Sequence, residues 1–534
     1  MNPQRRSFIR KIVYISAVAA LLLPLSWLSR PATTTEAGGK LAELRQQYGL
    51  SQASLGEIDP TSETIKLAML GMRGVAANVL WVKANHYKMV EDWTNLSATL
   101  EQITKVQPNF SSVWIHQGWN LAYNVSVEFD NYRDRYYWVM RGINFLKEGI
   151  TYNTGDPRLM WELAWTIGNK IGRADEHLLY RKMFKEDNDF HNADNPRRER
   201  RDRDNWLVSR EKFLIVVDMV DRQGRSMRAK SPMLYYSDPT MMQFNYCDAL
   251  QEEGVFGEVA KAAWKRGADD WADYGNRDLP TTYGITIRLA DQERHQKRAE
   301  QLREELGKLL PKDVDLAEQI RAERIAKLEP EERELLKAPP ESLSHEERLS
   351  AASLARVLIV TESDVADRVK GKHRAAALRT AHGAMYENRL AQIIDNYREQ
   401  VNFLYWQMRA RFEQSDDGLA ARKFVYDAKG AYDEAKFPVA IDLYNQGLAK
   451  WRAVIDRNPE LLKHTIMVED LVEIIDEYRK ALDQDDAEFP KEFVLEDVLK
   501  RFKQLQPESE APAAEESTGH PSESGSAPAP QSTP

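Results

Sequence analysis

The sequence predicts an all-α protein: an α-solenoid of helix-turn-helix repeats with an N-terminal transmembrane helix and a charged helical hairpin. Three observations predict it. The 534 residues hold only 26 Gly and 23 Pro, with 42% hydrophobic and 29% charged residues, a globular composition that favours helix. Helical periodicity begins after the N-terminal 40 residues and hardly stops; the only ambiguous stretch is TTYGITIRL at 281–289. Finally, WVKANHY (81–87), WNLAYNV (119–125) and WELAWTI (161–167) share a Trp, an Ala three residues on and a bulky residue three further. Their leading tryptophans, 38 and 42 residues apart, fall near the period of helix-turn-helix arrays.

The chain opens with a basic head, residues 1–11, carrying Arg5, Arg6, Arg10 and Lys11. Residues 12–28 then run for 17 positions without a charge, and counting from Phe8 the stretch approaches the roughly 20 residues that span a bilayer core. The basic flank is expected to stay in the cytoplasm while the rest crosses. SWLSRPA lacks the small-residue pattern of a cleavage site and Pro31 obstructs a cut, so the segment reads as an uncleaved anchor, with a cleaved signal as the alternative. RRSFIRK also resembles a twin-arginine export signal, with Gln4 where Ser or Thr is usual. That resemblance implies export of a folded domain and places the chain in a bacterial inner membrane, single-pass, with its bulk periplasmic.

Residues 29–58 form a spacer, and 59–289 the main repeat domain. Asx-Pro pairs mark expected helix starts at Asp59-Pro60, Asp156-Pro157, Asn195-Pro196, Asp238-Pro239 and Asn458-Pro459, because Asp or Asn caps free N–H groups and Pro suits the first helical position. Ser344 and Glu347 match a capping box. At helical spacing, Trp81, Ala84 and Tyr87 share or adjoin one face, as do Trp119 with Ala122 and Trp161 with Ala164, so each Trp clamps a neighbouring helix while Ala permits close approach.

These patterns resemble the tetratricopeptide repeat (TPR) superfamily in degenerate form, although that family places its small residue four positions after the Trp. The match is sharper in FVYDAKGAYDEAKFPVAIDLYNQG, where Phe424 and Ala428 take first-helix positions and Phe437, Ala440, Tyr444 and Gly447 reproduce the aromatic, small, aromatic, small order of the second helix. In CDALQEEGVFGEVAKAAWKRG, Gly254 and Phe256 fit the turn and following aromatic. The resemblance implies a surface that docks extended or helical segments of partner proteins.

Residues 290–350, highly charged and periodic in Leu, Ala and Ile, suit a protruding helical hairpin or short coiled coil. Residues 351–506 return to amphipathic helix with one TPR-like repeat, and 507–534 have the composition of a disordered tail.

The chemistry-bearing residues point away from catalysis. His86 in WVKANHY has Asn124 and Thr166 at the equivalent positions, so the repeat does not require an imidazole there. His116, His373 and His382 show no metal-ligand spacing, no phosphate-cradling Gly loop or GxSxG elbow occurs, and the single Cys247 forms no disulfide within the chain. A net charge of −9 argues against coating nucleic acid, and Arg197, Arg198, Arg200, Arg201 and Arg203 in NPRRERRDRDNW are interleaved with acids, as on a solvated helix start. Ten of the thirteen Trp residues lie between 81 and 271, joined by Tyr123, Tyr132, Tyr136, Tyr137 and Tyr152. The expectation is a non-catalytic, membrane-anchored scaffold or adaptor without cofactor, metal or nucleic acid, binding proteins through this region. Arg133 and Arg135 are candidate ligand contacts. A glycan- or peptidoglycan-binding module using an aromatic groove is the alternative.

Overall fold

The computed structural model describes residues 73–311 and 314–505, together with single positions between 11 and 40. Among the described residues no helix is long and apolar enough to cross a membrane. The expected span at 12–28 is described only at single positions. The head 1–10, the Asp59-Pro60 helix start and the tail 507–534 lie outside the described residues. The described chain is all-helical apart from one minimal hairpin, and consistent with an α-solenoid. It divides into two compact units, Met1–Leu419 and Ala420–Pro534. The division falls after residue 419, so 290–350 and 351–419 belong to the first unit.

In the first unit, α1 (Arg73–Met89) and α2 (Trp93–Val106) pair through Ala76, Leu80 and Ala84 against Leu96, Leu100 and Ile103. Both sets recur at three- and four-residue intervals, which puts each on one helical face. The array continues through α3 (Ser111–Trp119), α4 (Tyr132–Tyr152) and α5 (Pro157–Trp165). Two short helices, α6 (His177–Glu186) and α7 (Asn188–Asp194), fold Tyr180, Phe184 and Phe190 into the core under α4 and α5. Stacking resumes with α8 (Asn205–Asp221) on α5, then α9 (Pro232–Glu252) and α10 (Glu258–Asn276).

A long excursion follows. The ambiguous TTYGITIRL stretch contributes one strand of a two-residue antiparallel hairpin, with Leu279 opposite Ile287 and Pro280 opposite Thr286. Beyond it lie α11 (Gln292–Leu309), α12 (Leu316–Ala326), α13 (Pro330–Lys337), α14 (His345–Leu358), α15 (Glu362–Asp367) and α16 (Arg374–Gln400). The chain then returns with α17 (Phe403–Glu413) against α10. Phe403 seals this return: its ring lies over Gly275, and its carbonyl accepts the Trp271 indole N–H at 3.0 Å.

The 290–350 hairpin expected from the sequence is therefore partnered differently. The principal mate of α11 is α16, some 80 residues on, with Leu306 against Ala377 and Ala381 and Leu302 over Gly383. Small residues let these helices approach closely, and Arg398 with Glu293 (2.7 Å), Gln292 with Asp395 (2.9 Å) and His295 with Glu387 (2.6 Å) pair along their flanks.

The second unit holds most of α18 (Asp416–Asp433), then α19 (Phe437–Arg457), α20 (Thr465–Gln484) and α21 (Glu496–Leu505). Tyr444, Trp451, Tyr478, Leu471 and Ile475 make its core. Ala428 and Ala440 are fully buried, and a Cβ at Gly447 would stand 3.3 Å from that of Phe424, so small residues allow α18 and α19 to meet. Phe424 and Phe437 are half-buried.

The Asx-Pro starts divide. Asp156 caps α5, accepting from the Arg158 N–H at 3.0 Å, and Ser344 with Glu347 forms a capping box on α14. Asn458-Pro459 opens a 3₁₀ turn, whereas Asn195 accepts from the Arg197 N–H in a loop turn. Asp238-Pro239 lies inside α9, whose start is Ser231-Pro232. Pro239 has no N–H to give back to the preceding turn, so it interrupts the hydrogen-bond ladder there.

Candidate functional site

WVKANHY contributes Trp81, Ala84 and Tyr87 to the packing of α1. The Trp81 ring meets Phe110 at 5.9 Å and His116 edge-on at 6.2 Å, Ala84 is buried, and Lys83 lies over Tyr87 at 5.6 Å. His86 points to solvent. Burial pushes the His116 imidazole below its usual range, favouring the neutral ring.

The two segments that follow α3 and α5 carry the most unusual geometry. Both helices are nine residues long, both end on a tryptophan, and both open into a five-residue π-helical segment, Asn120–Asn124 and Thr166–Lys170. The structural equivalence is Trp119 with Trp165, 46 residues apart, rather than Trp119 with Trp161. The sequence register was therefore off by one helical turn: WNLA matches WTIG, with Leu121 and Ile167 buried and the small residue at Ala122 and Gly168. That small position lets the next helix touch backbone. A Cβ at Gly142 of α4 would come within 2.6 Å of the Gly118 carbonyl and 3.0 Å of Ala122, and one at Gly168 within 2.8 Å of Ser209. π segments widen a helix locally and recur at functional sites.

The tryptophans leading into these segments are held outward. Trp119 is 45% exposed and stacks on Tyr123 at 5.7 Å, with Lys170 over the Tyr123 ring at 4.9 Å. Trp165 is 38% exposed and stacks on Trp161 at 5.2 Å, nearly parallel. Trp161 itself is half-buried edge-on against Phe213 and donates its indole N–H to Asp238 at 2.6 Å. The Lys230 ammonium sits 3.2 Å from the centre of the Trp161 ring and 3.9 Å from Glu162. Burial raises the Asp238 carboxyl to about 6, against the lowering effect of the Trp161 hydrogen bond and of Lys230. It likewise raises Glu162, lowers Lys230, and pushes the Tyr123 phenol up to about 12 with help from Glu162. Around Trp161 and Trp165, aromatic rings thus lie beside the partly desolvated charges of Glu162, Lys230 and Asp238.

The remaining candidates fall elsewhere. Arg133 is exposed over Tyr132, while Arg135 is held by Glu176 at 2.6 Å and by the Phe129 carbonyl. The NPRRERRDRDNW run is not simply a solvated helix start. Arg198 turns inward to Asp194 and Glu211, both at 2.8 Å, and Asp204 is buried with Arg181, also at 2.8 Å. Lys212 joins Asp194 at 2.8 Å, so the run pins α7 to α8 through a largely buried ionic network. Arg197, Arg200 and Arg201 remain exposed. His373 and His382 are exposed, and among the described residues no group of His, Cys, Asp and Glu has metal-holding geometry. Sequence reading missed Trp165, Glu162, Lys230 and Asp238. The available signal was the second WxxG, which the Trp161 alignment hid.

No protein-family model matches this chain, and no curated protein sequence is similar to it.

Proposed function

We propose that the protein is a non-catalytic, membrane-anchored scaffold or adaptor, a degenerate TPR-like solenoid whose bulk lies outside the cytoplasm. In this reading, the aromatic and charged strip along α3, α5 and α9 docks a segment of a partner protein. The observation that carries it is the pair of outward tryptophans, Trp119 and Trp165, each held at a π segment by a stacked aromatic neighbour. Rigid aromatics supply contact area at low entropic cost, and Trp dominates binding hot spots. The charges beside them are already partly desolvated, which lowers the cost of covering them. The basic head and the uncharged stretch 12–28 support the anchor.

A photo-crosslinking phenylalanine derivative at position 119 in cells tests the reading. The expected result is a discrete envelope-protein adduct at 119 that is absent with the same group at position 386 on α16. Identical adducts at both positions, or none, would contradict it. A second reading, a glycan- or peptidoglycan-binding module, is favoured by the exposure of the same two rings, since sugars stack on open aromatic faces. It predicts glycan rather than protein at position 119.

A further inference from the structure

We propose that Trp161, Glu162 and Asp238 form a cage for the ammonium group of a partner's lysine side chain, and that Lys230 occupies this cage as an internal placeholder until the partner displaces it.

The cage has three walls. One face of the Trp161 indole is covered by Trp165 at 5.2 Å, and the ring is braced edge-on by Phe213 at 5.8 Å. The Lys230 Nζ stands against the ring at 3.2 Å from its centre, close enough for the cation to feel the ring quadrupole. Glu162, 3.9 Å from that Nζ, and Asp238, which accepts the indole N–H at 2.6 Å, bring two negative charges to the ring. Two carboxylates beside one indole face, both mostly shielded from water, favour a cation there.

Lys230 suits a displaceable tenant because of where it comes from. It lies in the connector between α8 and α9, most of which faces solvent; Met227 is the buried anchor, and the backbone is left-handed at Gly224 (φ 64°) and Arg228 (φ 54°). Its side chain is 34% exposed and its contact with Glu162 is at the outer limit of an ion pair. An internal lysine of this kind lowers the apparent affinity of a competing ammonium by the fraction of time that it is seated. Displaced, it leaves an aromatic and acidic recess one turn from the exposed Trp165. The inference rests on the scaffold reading only for the identity of the peptide that carries the lysine; the cage chemistry is tested apart from it.

The probe is Nα-acetyl-lysine N-methylamide, with Nα-acetyl-norleucine N-methylamide as its uncharged counterpart. The readout is the indole N–H resonance of Trp161 in the full chain labelled with ¹⁵N-tryptophan, assigned by its loss in Trp161→Phe. In Lys230→Met the lysine probe is expected to shift that resonance saturably, with half-saturation at least tenfold lower than in the unsubstituted chain, and the norleucine probe to leave it unmoved. Equal responses to both probes, or no saturable shift in Lys230→Met, would overturn the cage. Should Lys230→Met not fold, the unsubstituted chain answers separately: with ¹³C-labelled lysine, the lysine probe has to move the Lys230 Cε resonance, assigned by its loss in Lys230→Arg, away from its ring-shifted position beside Trp161, and an unmoved resonance refutes displacement. Failure here with the crosslink at position 119 intact removes the cage and leaves the scaffold. Loss of that crosslink with the cage response intact does the reverse.

Discussion

The helix pairs at 111–171 and at 416–457 use the same residue vocabulary to opposite ends. In both, Ala and Gly let one helix approach another: Ala122 with Gly142 in the first, Ala428, Ala440 and Gly447 in the second. In the second, Tyr444 and Trp451 go inward while Tyr426 stays exposed. Tyr444 is 1% exposed, and Trp451 is fully buried. In the first, Trp114 is buried as well, but Trp119 and Trp165 are turned out at π segments, over a core that includes Trp114, Leu121, Leu159 and Ile167. Small residues set the packing in each, but the aromatic decides what the pair is for. Where it is buried the pair is framework, and where a π segment holds it outward the pair offers a surface.

Substitutions can break that contrast. Trp451→Ala is expected to cost roughly 3–5 kcal/mol in the unfolding free energy of the second unit, the range for emptying a large buried site. A loss under about 1 kcal/mol by denaturant titration would remove the framework half of the comparison. Gly142→Ala comes next. Its Cβ would meet backbone at 2.6 Å, which no rotamer relieves, so a loss of about 2–3 kcal/mol is expected. Gly447→Ala meets side-chain and Cβ atoms at 3.3 Å and is expected to cost about 1 kcal/mol or less. If the two glycines prove equally costly, the closer approach assigned to α3 and α4 is wrong.

Acidity sharpens the same distinction. Asp238 in the folded chain holds its proton to about pH 6, against an ordinary value of 3.8. Between those values the native state binds the extra proton, so the contribution of Asp238 to stability is greatest below about pH 4 and is lost as pH rises through about 6. Asp238→Asn is expected to flatten that part of the stability profile by on the order of 2 kcal/mol. Parallel profiles for the two proteins between pH 4 and pH 7 would show that the carboxyl is not desolvated beside Trp161.

The array was legible in the sequence where local rules decide it. Asp156 and Ser344 cap helices because the capping oxygen and its N–H targets are neighbours in the chain. What stayed hidden depends on distant partners. Asp238-Pro239 has the composition of a helix start but sits mid-helix, where Asp238 is held by Trp161, 77 residues away. The charged run at 292–309 shows its apolar stripe plainly, yet nothing local says that the Ala-rich 374–400 helix, rather than the next helix, will cover it. At the site, the repeating tryptophans were visible, but their register was not. WELAW offers two tryptophans one turn apart, and only the burial of Leu163, Ile167 and Gly168 selects the second.

The most direct test of the central claim pairs stability with capture in Trp119→Ala and Trp165→Ala. Because both rings are more than a third open, each change is expected to cost less than Trp451→Ala, about 1–2 kcal/mol. Yet it should abolish the envelope-protein adducts formed by a crosslinker placed at Lys170, whose ammonium lies over the Tyr123 ring beside Trp119. A folded protein that loses clearly less stability than Trp451→Ala, with adducts lost, is the predicted result. Unchanged adducts, or a destabilisation as large as that of Trp451→Ala, would contradict the account by showing that these tryptophans are framework after all.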